Sequence, residues 1–473
     1  DYSCLQGFCP SFVTVEGGRL RARAPRDAGP LPDPPAADLG PEAVRRVLVA
    51  GIGGTGVVTV SAVVGTAARI DGLVATSNDV TGMAQKGGPV LAHLQIARSA
   101  AAIASERIPP GEADVLLALD TVVATMPDAA SRVSAATRAI VNTDLTQTGA
   151  FARSRDASLD GEGLLQRLRD RVGPVQSVPA NRAADAAAGD PVAAGLLLLG
   201  AAVQRGDVPL SVVALEQAIR LNGVAVERNL AAFAWGRRLV ADPGALAELG
   251  IRDEPPPTLD ERLARYEREL TGYQDAHYAA RWRRRVDDVR AAESRAVPGT
   301  TALTDAVADV AFRLMAYKDE YEVARLHLDP AFRARIAALF EGDYRVRHHL
   351  APPLLAKPDP VTGVPRKIAF GGAIRPVFHL LRAARRLRGT WLDPFGRTDE
   401  RRLERRLVAE YLALAGELAA GLTPANHAAA VRLARWAEGV RGYGHVKRRF
   451  LAQAEGARDV ALAEWRAARS APR

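Results

Sequence analysis

The chain of 473 residues is long enough for two or three domains of ordinary size. Hydrophobic residues make up 48% and charged residues 25%, close to the average of soluble globular proteins, which argues against a disordered chain and against a membrane protein. The net charge of +9 comes mainly from arginines dispersed along helix-compatible stretches, a pattern typical of solvated helix faces. We therefore expect a soluble protein without a nucleic-acid or membrane partner.

The first residues hold the two cysteines of the chain, Cys4 and Cys9. So few cysteines argue against a disulfide-stapled secreted scaffold and predict a cytoplasmic protein. Their close spacing, with Pro10 next, predicts half of an iron–sulfur site whose other ligands lie upstream; two structural thiols are the alternative. Because the chain begins at Asp1 with neither a methionine nor a signal peptide, we expect it to be part of a longer polypeptide.

The first elements predicted along the chain are a short β-like run, Phe12–Val15, and a linker rich in proline, glycine and aspartate, Pro25–Pro41. Further strands are predicted at Val47–Ala50, Leu73–Thr76, Val90–Ile96, Val115–Leu119, Ala139–Asn142 and Val175–Val178. Helices are predicted at Thr55–Ile70, Leu196–Arg205, Ser211–Arg220 and Asn222–Val240. Because strands alternate with helices, residues 41–245 are predicted to form a Rossmann-like α/β domain with a mostly parallel sheet covered on both faces.

The pattern changes to long amphipathic helices after the proline run at 255–257. Thr258 and Glu261 form a predicted capping box, and two apolar stripes run from Leu259 to Tyr273 and from Leu303 to Tyr321. More helices are predicted at Arg333–Phe340, Ile374–Leu387, Arg401–Leu418 and His427–Ala463, with a loop or hairpin at Ala351–Phe370. The predicted domains are therefore residues 1–40, 41–245 and 246–473, the last mainly α-helical.

A glycine-rich loop, Gly51-Ile52-Gly53-Gly54-Thr55-Gly56, directly follows a predicted strand and opens a predicted helix. In this context the glycines permit a tight turn, and the helix N-terminus offers N–H groups to an anion. A purely structural turn is the alternative. An NAD site would need an acidic residue at the end of the second strand, and the acidic residue there, Asp79, comes later than that pattern requires.

A second polar stretch runs from Ser77 to Pro89 and is predicted to be a long loop beside the glycine loop. Asn78 and Gln85 offer hydrogen bonds, Lys86 offers a positive charge to a phosphate or carboxylate, and Gly87 and Gly88 allow a close approach. A surface lysine next to a glycine turn is the alternative.

Three segments, in this order, resemble the γ domain of 2-oxoacid:ferredoxin oxidoreductases: VLVAGIGGTGVVTV at 47–60, MAQKGGPV at 83–90 and LNGVAVERNLAAFAWGR at 221–237. The opening DYSCLQGFCPSF looks like the segment that follows the thiamine-diphosphate domain in fused indolepyruvate ferredoxin oxidoreductases. The helical region, with MAYKDEYEVAR at 315–325 and GYGHVK at 442–447, is similar to their C-terminal tail.

This resemblance implies a CoA-dependent oxidative decarboxylation of an aryl 2-oxoacid, with electrons passing through iron–sulfur clusters to ferredoxin. It implies Cys4 and Cys9 as cluster ligands, and it implies that Gly51–Gly56 and Asn78–Gly88 face the cofactor or substrate. The family holds thiamine diphosphate and magnesium through Gly-Asp-Gly and a later Asn, and this sequence contains no Gly-Asp-Gly. We therefore expect the chain to be inactive alone and its full-length protein to be a homo-oligomer. An NAD-dependent dehydrogenase and a non-enzymatic assembly domain are the competing hypotheses.

Overall fold

The computed structural model describes residues 12–21, 23–37, 39–81, 88–145, 160–252, 257–351, 366–440 and 444–470. The chain forms two compact units. The sheet unit comprises Ala22–Glu254, and the helical unit comprises Asp1–Arg21 together with Pro255–Arg473. The chain thus divides after Arg21 and after Glu254, whereas the sequence predicted boundaries at 40 and 245.

The first two strands, β1 (Phe12–Glu16) and β2 (Arg19–Leu20), belong to the helical unit. The sheet unit is built on six strands: β3 (Val44–Ile52), β4 (Val74–Thr81), β5 (Pro89–Ala97), β6 (Val115–Ala118), β7 (Arg138–Asn142) and β8 (Val175–Val178). Their order in the sheet is β4-β5-β3-β6-β7-β8. Strands β3, β6, β7 and β8 are parallel, and β5 runs antiparallel to both of its neighbours. The predicted mostly parallel sheet is confirmed.

Nine helices surround this sheet in the described residues: α1 (Val57–Ile70), α2 (Thr121–Ala124), α3 (Pro127–Ala130), α4 (Gly161–Arg169), α5 (Ala180–Ala188), α6 (Ala194–Gln204), α7 (Val212–Asn222), α8 (Val226–Ala241) and α9 (Ala245–Glu248). One apolar core joins the sheet to α1 and to α5 through α8. A second core joins the opposite face to α2, α3 and α4. Because both faces are covered, the central strands are apolar on both sides, as a buried parallel sheet requires.

Residues 25–37, predicted to be part of a linker, instead pack on helices α6 and α8. The indole N–H of Trp235 donates to the Arg26 carbonyl at 3.0 Å, and the Arg237 guanidinium donates to the Pro32 carbonyl at 2.9 Å. Ala28 is buried against the same core. The prolines lack N–H donors but keep their carbonyls, and side chains from α6 and α8 hydrogen-bond to carbonyls of this segment. Composition alone does not distinguish this arrangement from a free linker.

The helical unit contains nine helices in its described residues: α10 (Leu259–Tyr273), α11 (Ala276–Ala296), α12 (Ala302–Met315), α13 (Glu320–His327), α14 (Pro330–Leu339), α15 (Arg375–Ala383), α16 (Asp399–Gly421), α17 (His427–Ala434) and α18 (Gly444–Ser470). Their apolar faces share a core that contains Trp282, Tyr411 and Trp465. The predicted capping box of Thr258 and Glu261 is present at the start of α10.

Three short strands complete this unit: β9 (Phe340–Glu341), β10 (Arg345–Leu350) and β11 (Ile368–Phe370). Strand β10 pairs antiparallel with β1 on one side and with β11 on the other, while β2 pairs with β9. Residues 12–20 therefore form sheets with a segment more than 300 positions away. The hairpin expected around Ala351–Phe370 is present as β10 and β11, and its residues 352–365 lie outside the described part of the chain.

Two predicted helical stretches are interrupted in the structure. The apolar stripe from Leu303 to Tyr321 spans two helices, because Asp319 caps α13 through the N–H of Glu322 and so begins a new helix after Met315. The stretch predicted from His427 to Ala463 is likewise divided between α17 and α18. Helix α11 was not predicted. The regular spacing of apolar residues can continue across a break between two helices, so this spacing does not show where one helix ends and the next begins.

Candidate functional site

The carboxyl ends of the neighbouring strands β3 and β6 form the switch point of the sheet, because the helices that follow these two strands cover opposite faces. The chain leaves β3 through α1, which covers one face, and leaves β6 through α2, which covers the other. In open α/β sheets a crevice forms at such a point, outside the carboxyl ends of the strands. The glycine loop lies at this edge, directly after β3.

The first residue of the glycine loop, Gly51, is packed too closely to accommodate a side chain. A Cβ added to Gly51 would lie 2.7 Å from the hydroxyl oxygen of Thr55 and 2.7 Å from a methyl carbon of Val57, so only glycine fits. The Thr55 hydroxyl donates to the Ile52 carbonyl at 2.7 Å and closes the turn. Gly54 and Gly56 adopt φ values of +94° and +88°, which favour glycine.

The outer side of this loop is open. Gly53 and Gly54 are exposed, and a Cβ on Gly54 would meet no atom within 4 Å. Helix α1 begins at Val57, and no side chain of the described residues caps its N–H groups. Its first turn contains no acidic residue, and Val58 there is 56% exposed. Unpaired N–H groups at a helix N-terminus form a site for an anion.

The second predicted stretch is placed only in part. The Gly53 N–H donates to the Gly88 carbonyl at 2.9 Å, so the glycine loop and Gly88 are in contact, as the sequence predicted. Gln85, Lys86 and Gly87 lie outside the described residues, as do Cys4 and Cys9.

The prediction of a loop beginning at Ser77 is wrong, because β4 continues to Thr81. Asn78 pairs with His93 midway along the β4–β5 ladder, and its side-chain amide donates to Glu106 at 3.3 Å. Val80 and Asn78 are half-buried while the residues beside them are exposed, which is the alternation of a strand. Polar residues are tolerated there since β4 is an edge strand. Asn78 therefore lies three residues before the end of β4 at Thr81, which is about 10 Å at about 3.3 Å per residue.

One acidic residue at this edge was not predicted. Asp120 follows β6, is 1% exposed, and caps α2 by accepting the N–H of Val123 at 2.9 Å through Oδ1. Its Oδ2 is buried and has no hydrogen-bond partner among the described residues. Burial raises the pKa of the Asp120 carboxyl, although hydrogen bonds from the N–H groups of Val123 and Val122 act in the opposite direction. The signal in the sequence is an acidic residue directly after a buried strand.

Asn142 organises the adjacent part of the edge, at the end of β7. Its amide group donates to the Leu119 carbonyl at 3.0 Å and to the Asn181 side chain at 3.0 Å. Its Oδ1 accepts the N–H groups of Asp144 and Ala180, each at 3.0 Å. One buried side chain thus fixes the ends of β6, β7 and β8 relative to one another, which keeps the crevice in a single shape.

Two features are absent from the described residues. No group of three or more histidine, cysteine, aspartate or glutamate side chains there is placed to hold a metal ion. No helix in the described ranges is long and apolar enough to cross a membrane.

Comparison with known families divides the chain as the structure does. Residues 46–239 match the family described as pyruvate ferredoxin/flavodoxin oxidoreductase. Residues 259–460 match a family of unknown function, DUF6537. The first match begins in β3 and ends in α8, so it contains the glycine loop, Asp120 and Asn142.

Two similar proteins are indolepyruvate oxidoreductase subunits IorB. The subunit of Methanothermobacter thermautotrophicus is 29% identical over 193 residues, which is 40% of this chain and 95% of the relative. The subunit of Archaeoglobus fulgidus is 30% identical over 197 residues, or 40% of this chain and 92% of the relative.

Solved structures similar to the chain also come from oxidoreductases. The γ subunit of a keto/oxoacid ferredoxin oxidoreductase from Geobacter sulfurreducens aligns with a TM-score of 0.30 and 21% identity, over 41% of this chain and 97% of its own. Pyruvate oxidoreductase subunit PORC from Thermotoga maritima aligns with a TM-score of 0.30 and 20% identity, over 41% and 95%. The 2-oxoglutarate:ferredoxin oxidoreductase of Magnetococcus marinus has a TM-score of 0.33 and 16% identity, over 49% and 38%.

The sheet unit has its glycine loop at the switch point, where the carboxyl ends of β3 and β6 meet, and it defines a Rossmann-like γ-type domain. The chain belongs to the 2-oxoacid:ferredoxin oxidoreductase family, through the region that aligns with nearly the whole of two IorB subunits. The resemblance expected from the three sequence segments is thereby confirmed. A classical NAD site would need the acidic residue on the strand next to β3, but that position is occupied by β5, and Asp79 on β4 instead accepts the hydroxyls of Ser61 and Ser77.

Proposed function

We propose that this chain is the γ-type part of an indolepyruvate:ferredoxin oxidoreductase, with residues 41–245 as the γ domain and 246–473 as a helical domain. The reaction would be the CoA-dependent oxidative decarboxylation of an aryl 2-oxoacid, with electrons passed to ferredoxin. The supporting observation is the alignment of residues 46–239, glycine loop included, with nearly complete indolepyruvate oxidoreductase subunits. The aryl substrate follows from the names of those relatives.

The residues of this chain do not fit thiamine diphosphate with magnesium. The sequence has no Gly-Asp-Gly, and the described residues hold no cluster of metal ligands. Two cysteines are too few for a cluster that needs four thiolates, so Cys4 and Cys9 would supply half of one iron–sulfur site. We assign no catalytic step in this chain to either group, and other parts of the enzyme would hold the thiamine.

CoA is the one implied group that the described residues fit. CoA carries a diphosphate. The open loop formed by Gly53, Gly54 and Thr55, together with the uncapped N-terminus of α1, offers N–H groups that could bind this diphosphate. When bound, CoA supplies the thiol that accepts the acyl group. The loop would bind and orient the anionic part of CoA, and Gly51 would keep the turn closed beneath it.

Burial raises the pKa of the Asp120 carboxyl, which favours its protonated form at the edge where the anion would bind. An ionised carboxylate at the end of the adjacent strand would repel a diphosphate, whereas a protonated carboxyl donates a hydrogen bond. Its Oδ2, which has no partner among the described residues, is the atom available for that bond. Gln85, Lys86 and Gly87 remain predicted contributors on the other side of the loop.

The function is tested with the whole protein purified from its native host together with any associated subunits. Reduction of ferredoxin or methyl viologen is followed with indolepyruvate, pyruvate or 2-oxoglutarate, each with and without CoA. We expect reduction that depends on both indolepyruvate and CoA. No reduction with indolepyruvate, or faster reduction with one of the other two acids, would refute the proposed activity.

Val58→Asp tests the role of the glycine loop within the same assay. An aspartate in the first turn of α1 interacts favourably with the helix dipole but repels an anion, so the fold is kept while the KM for CoA rises. We expect a rise of about tenfold, equivalent to about 1.4 kcal/mol. The matched control is Val213→Asp, at the same position of α7 and 74% exposed, which should leave this KM unchanged. Equal KM values for the two variants would exclude the loop as the CoA site.

A further inference from the structure

A cavity of about 590 Å³ lies in the helical unit. Strand β10 and helices α14 and α15 form its walls. Its size is that of a site for a small organic molecule. Neither the sequence patterns nor the relatives aligned with residues 46–239 assign a ligand to this part of the chain.

The charged residues around this cavity are all positive. Arg333, Arg345, Arg347 and Arg375 line it, and none of the described residues that line it is acidic. Of the four, only Arg347 contacts a carboxylate in the described part of the chain, that of Glu16 on β1 at 2.8 Å. Three arginines of the lining therefore have no carboxylate partner in the described part of the chain, and their exposed side chains are available to an anion that enters the cavity.

The position of Arg375 adds to this imbalance. Arg375 is the first residue of α15, where the helix dipole already places positive charge, and no side chain in the described residues caps this helix. Gly371 and Gly372, which precede it, also line the cavity, and a Cβ on either would meet no atom within 4 Å. The Arg375 N–H already donates to the Gly372 carbonyl and residue 376 is a proline, so the Arg375 guanidinium is the group that would bind an anion at this end of the cavity.

The inner wall of the cavity consists of aromatic rings. His327 stacks on Phe378 with ring centres 5.1 Å apart and planes 8° apart. His348 meets both rings edge to face, at 4.6 Å and 5.2 Å. Phe332 meets His327 edge to face at 5.9 Å, and Tyr344 lines the cavity as well. Phe332, Tyr344, His348 and Phe378 line the cavity, so a flat ligand ring could make stacked or edge-to-face contacts with them.

We propose that this cavity binds a small organic anion that carries an aromatic ring, with the ring against Phe332 and His348 and the anionic group on Arg345 and Arg375. Guanidinium groups bind carboxylate and phosphate alike through paired hydrogen bonds, so an aryl carboxylate and an aromatic phosphate share the required chemistry. Binding here is independent of the oxidoreductase activity proposed above.

The test is isothermal titration calorimetry of the full chain with four probes. 1-Naphthaleneacetate and AMP present an aromatic ring with a carboxylate or a phosphate; cyclohexaneacetate and inorganic phosphate lack the aromatic ring. We expect at least one of the first two to bind at least tenfold more tightly than the two probes without a ring, and which one binds identifies the charged group. No binding of either aromatic probe at 1 mM, or equal binding of inorganic phosphate, would overturn the proposal.

Arg375→Ala separates binding from folding. Removing a cation from the start of α15 should leave the melting temperature of the free protein unchanged or higher, while the Kd for the aromatic probe rises at least tenfold. Arg268→Ala, an exposed arginine on α10, is the matched control and should change neither quantity. An unchanged Kd in Arg375→Ala, or an equal rise in Arg268→Ala, would show that the probe binds elsewhere and would refute the assignment.

Discussion

The close contact between α6 and α8 gives a prediction whose sign is fixed by the structure. A Cβ on Gly236 of α8 would lie 1.8 Å from the Leu197 carbonyl oxygen, and a Cβ on Gly200 of α6 would lie 2.0 Å from the Phe233 carbonyl oxygen. Each helix therefore uses a glycine to admit the backbone of the other. Both helices belong to the core that carries the glycine loop, so their spacing affects the whole sheet unit.

Gly236→Ala should destabilise the sheet unit. Ordinary contact begins near 3.4 Å, so the backbones would have to separate by about 1.6 Å (3.4 − 1.8). Overpacking of this kind lowers the stability by about 1–3 kcal/mol and occasionally more. The higher helix propensity of alanine relative to glycine offsets about 1 kcal/mol of this loss. The new methyl group would meet a backbone carbonyl, which cannot rotate away as a side chain could. We therefore expect the overpacking cost to lie at the upper end of its range, so that the free energy of unfolding falls by about 2 kcal/mol or more.

Gly65→Ala is the matched control, because Gly65 lies inside α1 and a Cβ there would meet no atom within 4 Å. It should stabilise the sheet unit by about 0.5–1 kcal/mol. Native-state hydrogen exchange of peptides from α6 and α8 gives the opening free energy of this unit separately from the helical unit. An unchanged opening free energy in Gly236→Ala would refute the described contact, and a loss in Gly65→Ala would refute its assignment as an unhindered helical glycine.

Three further predictions concern buried charges and are measured by urea denaturation. Asp120→Asn keeps the cap of α2 and removes a carboxyl whose pKa is raised by burial. The free energy of unfolding of this variant should equal that of the parent protein below pH 4 and exceed it by about 1 kcal/mol at pH 8. Burial, with two nearby arginines, lowers the pKa of His93, whose Nδ1 accepts the Ile108 N–H at 3.2 Å. Its stabilising contribution should therefore be complete above about pH 6.5 and decline below it, and His93→Gln should remove that slope. Arg388→Met leaves Asp319 buried without its 2.8 Å partner and should cost about 3–5 kcal/mol, part of which Asp319→Asn should restore in the double variant.

The sheet was largely predictable because its signal is local. Six apolar runs of strand length separated by helical periods identified all six strands, and the glycines after Ala50 located the loop. The direction of β5 was not predicted, although seven residues between Thr81 and Pro89 are too few for the crossover that a parallel strand needs. Asp120 and Asn142 were not singled out as site residues, because their importance depends on which strand ends meet at the switch point.

The helical unit was predicted less well because its organisation depends on distant residues. Apolar stripes located α10 and α12, but a cap such as Asp319 can begin a new helix without interrupting the apolar period. The pairing of β1 with β10 joins Phe12 to His349. No local pattern specifies such a partner, since the short run Phe12–Val15 is compatible with any open strand edge. The roles predicted for Cys4, Cys9 and Lys86 remain predictions.

The two candidate sites differ in what a sequence can reveal. The glycine loop presents backbone N–H groups, and its backbone can take this path only where side chains are absent. The sequence therefore shows this site as several glycines within one short segment. The cavity presents side chains, and Phe332, Arg345 and Arg375 come from three separate elements that are brought together by the fold. Arginine is also the commonest charge on the exposed helices of this chain, so Arg375 looks ordinary in the sequence. Only its position, at the positive end of a helix and in the lining of a cavity with three other arginines, distinguishes it from the arginines on the other helices.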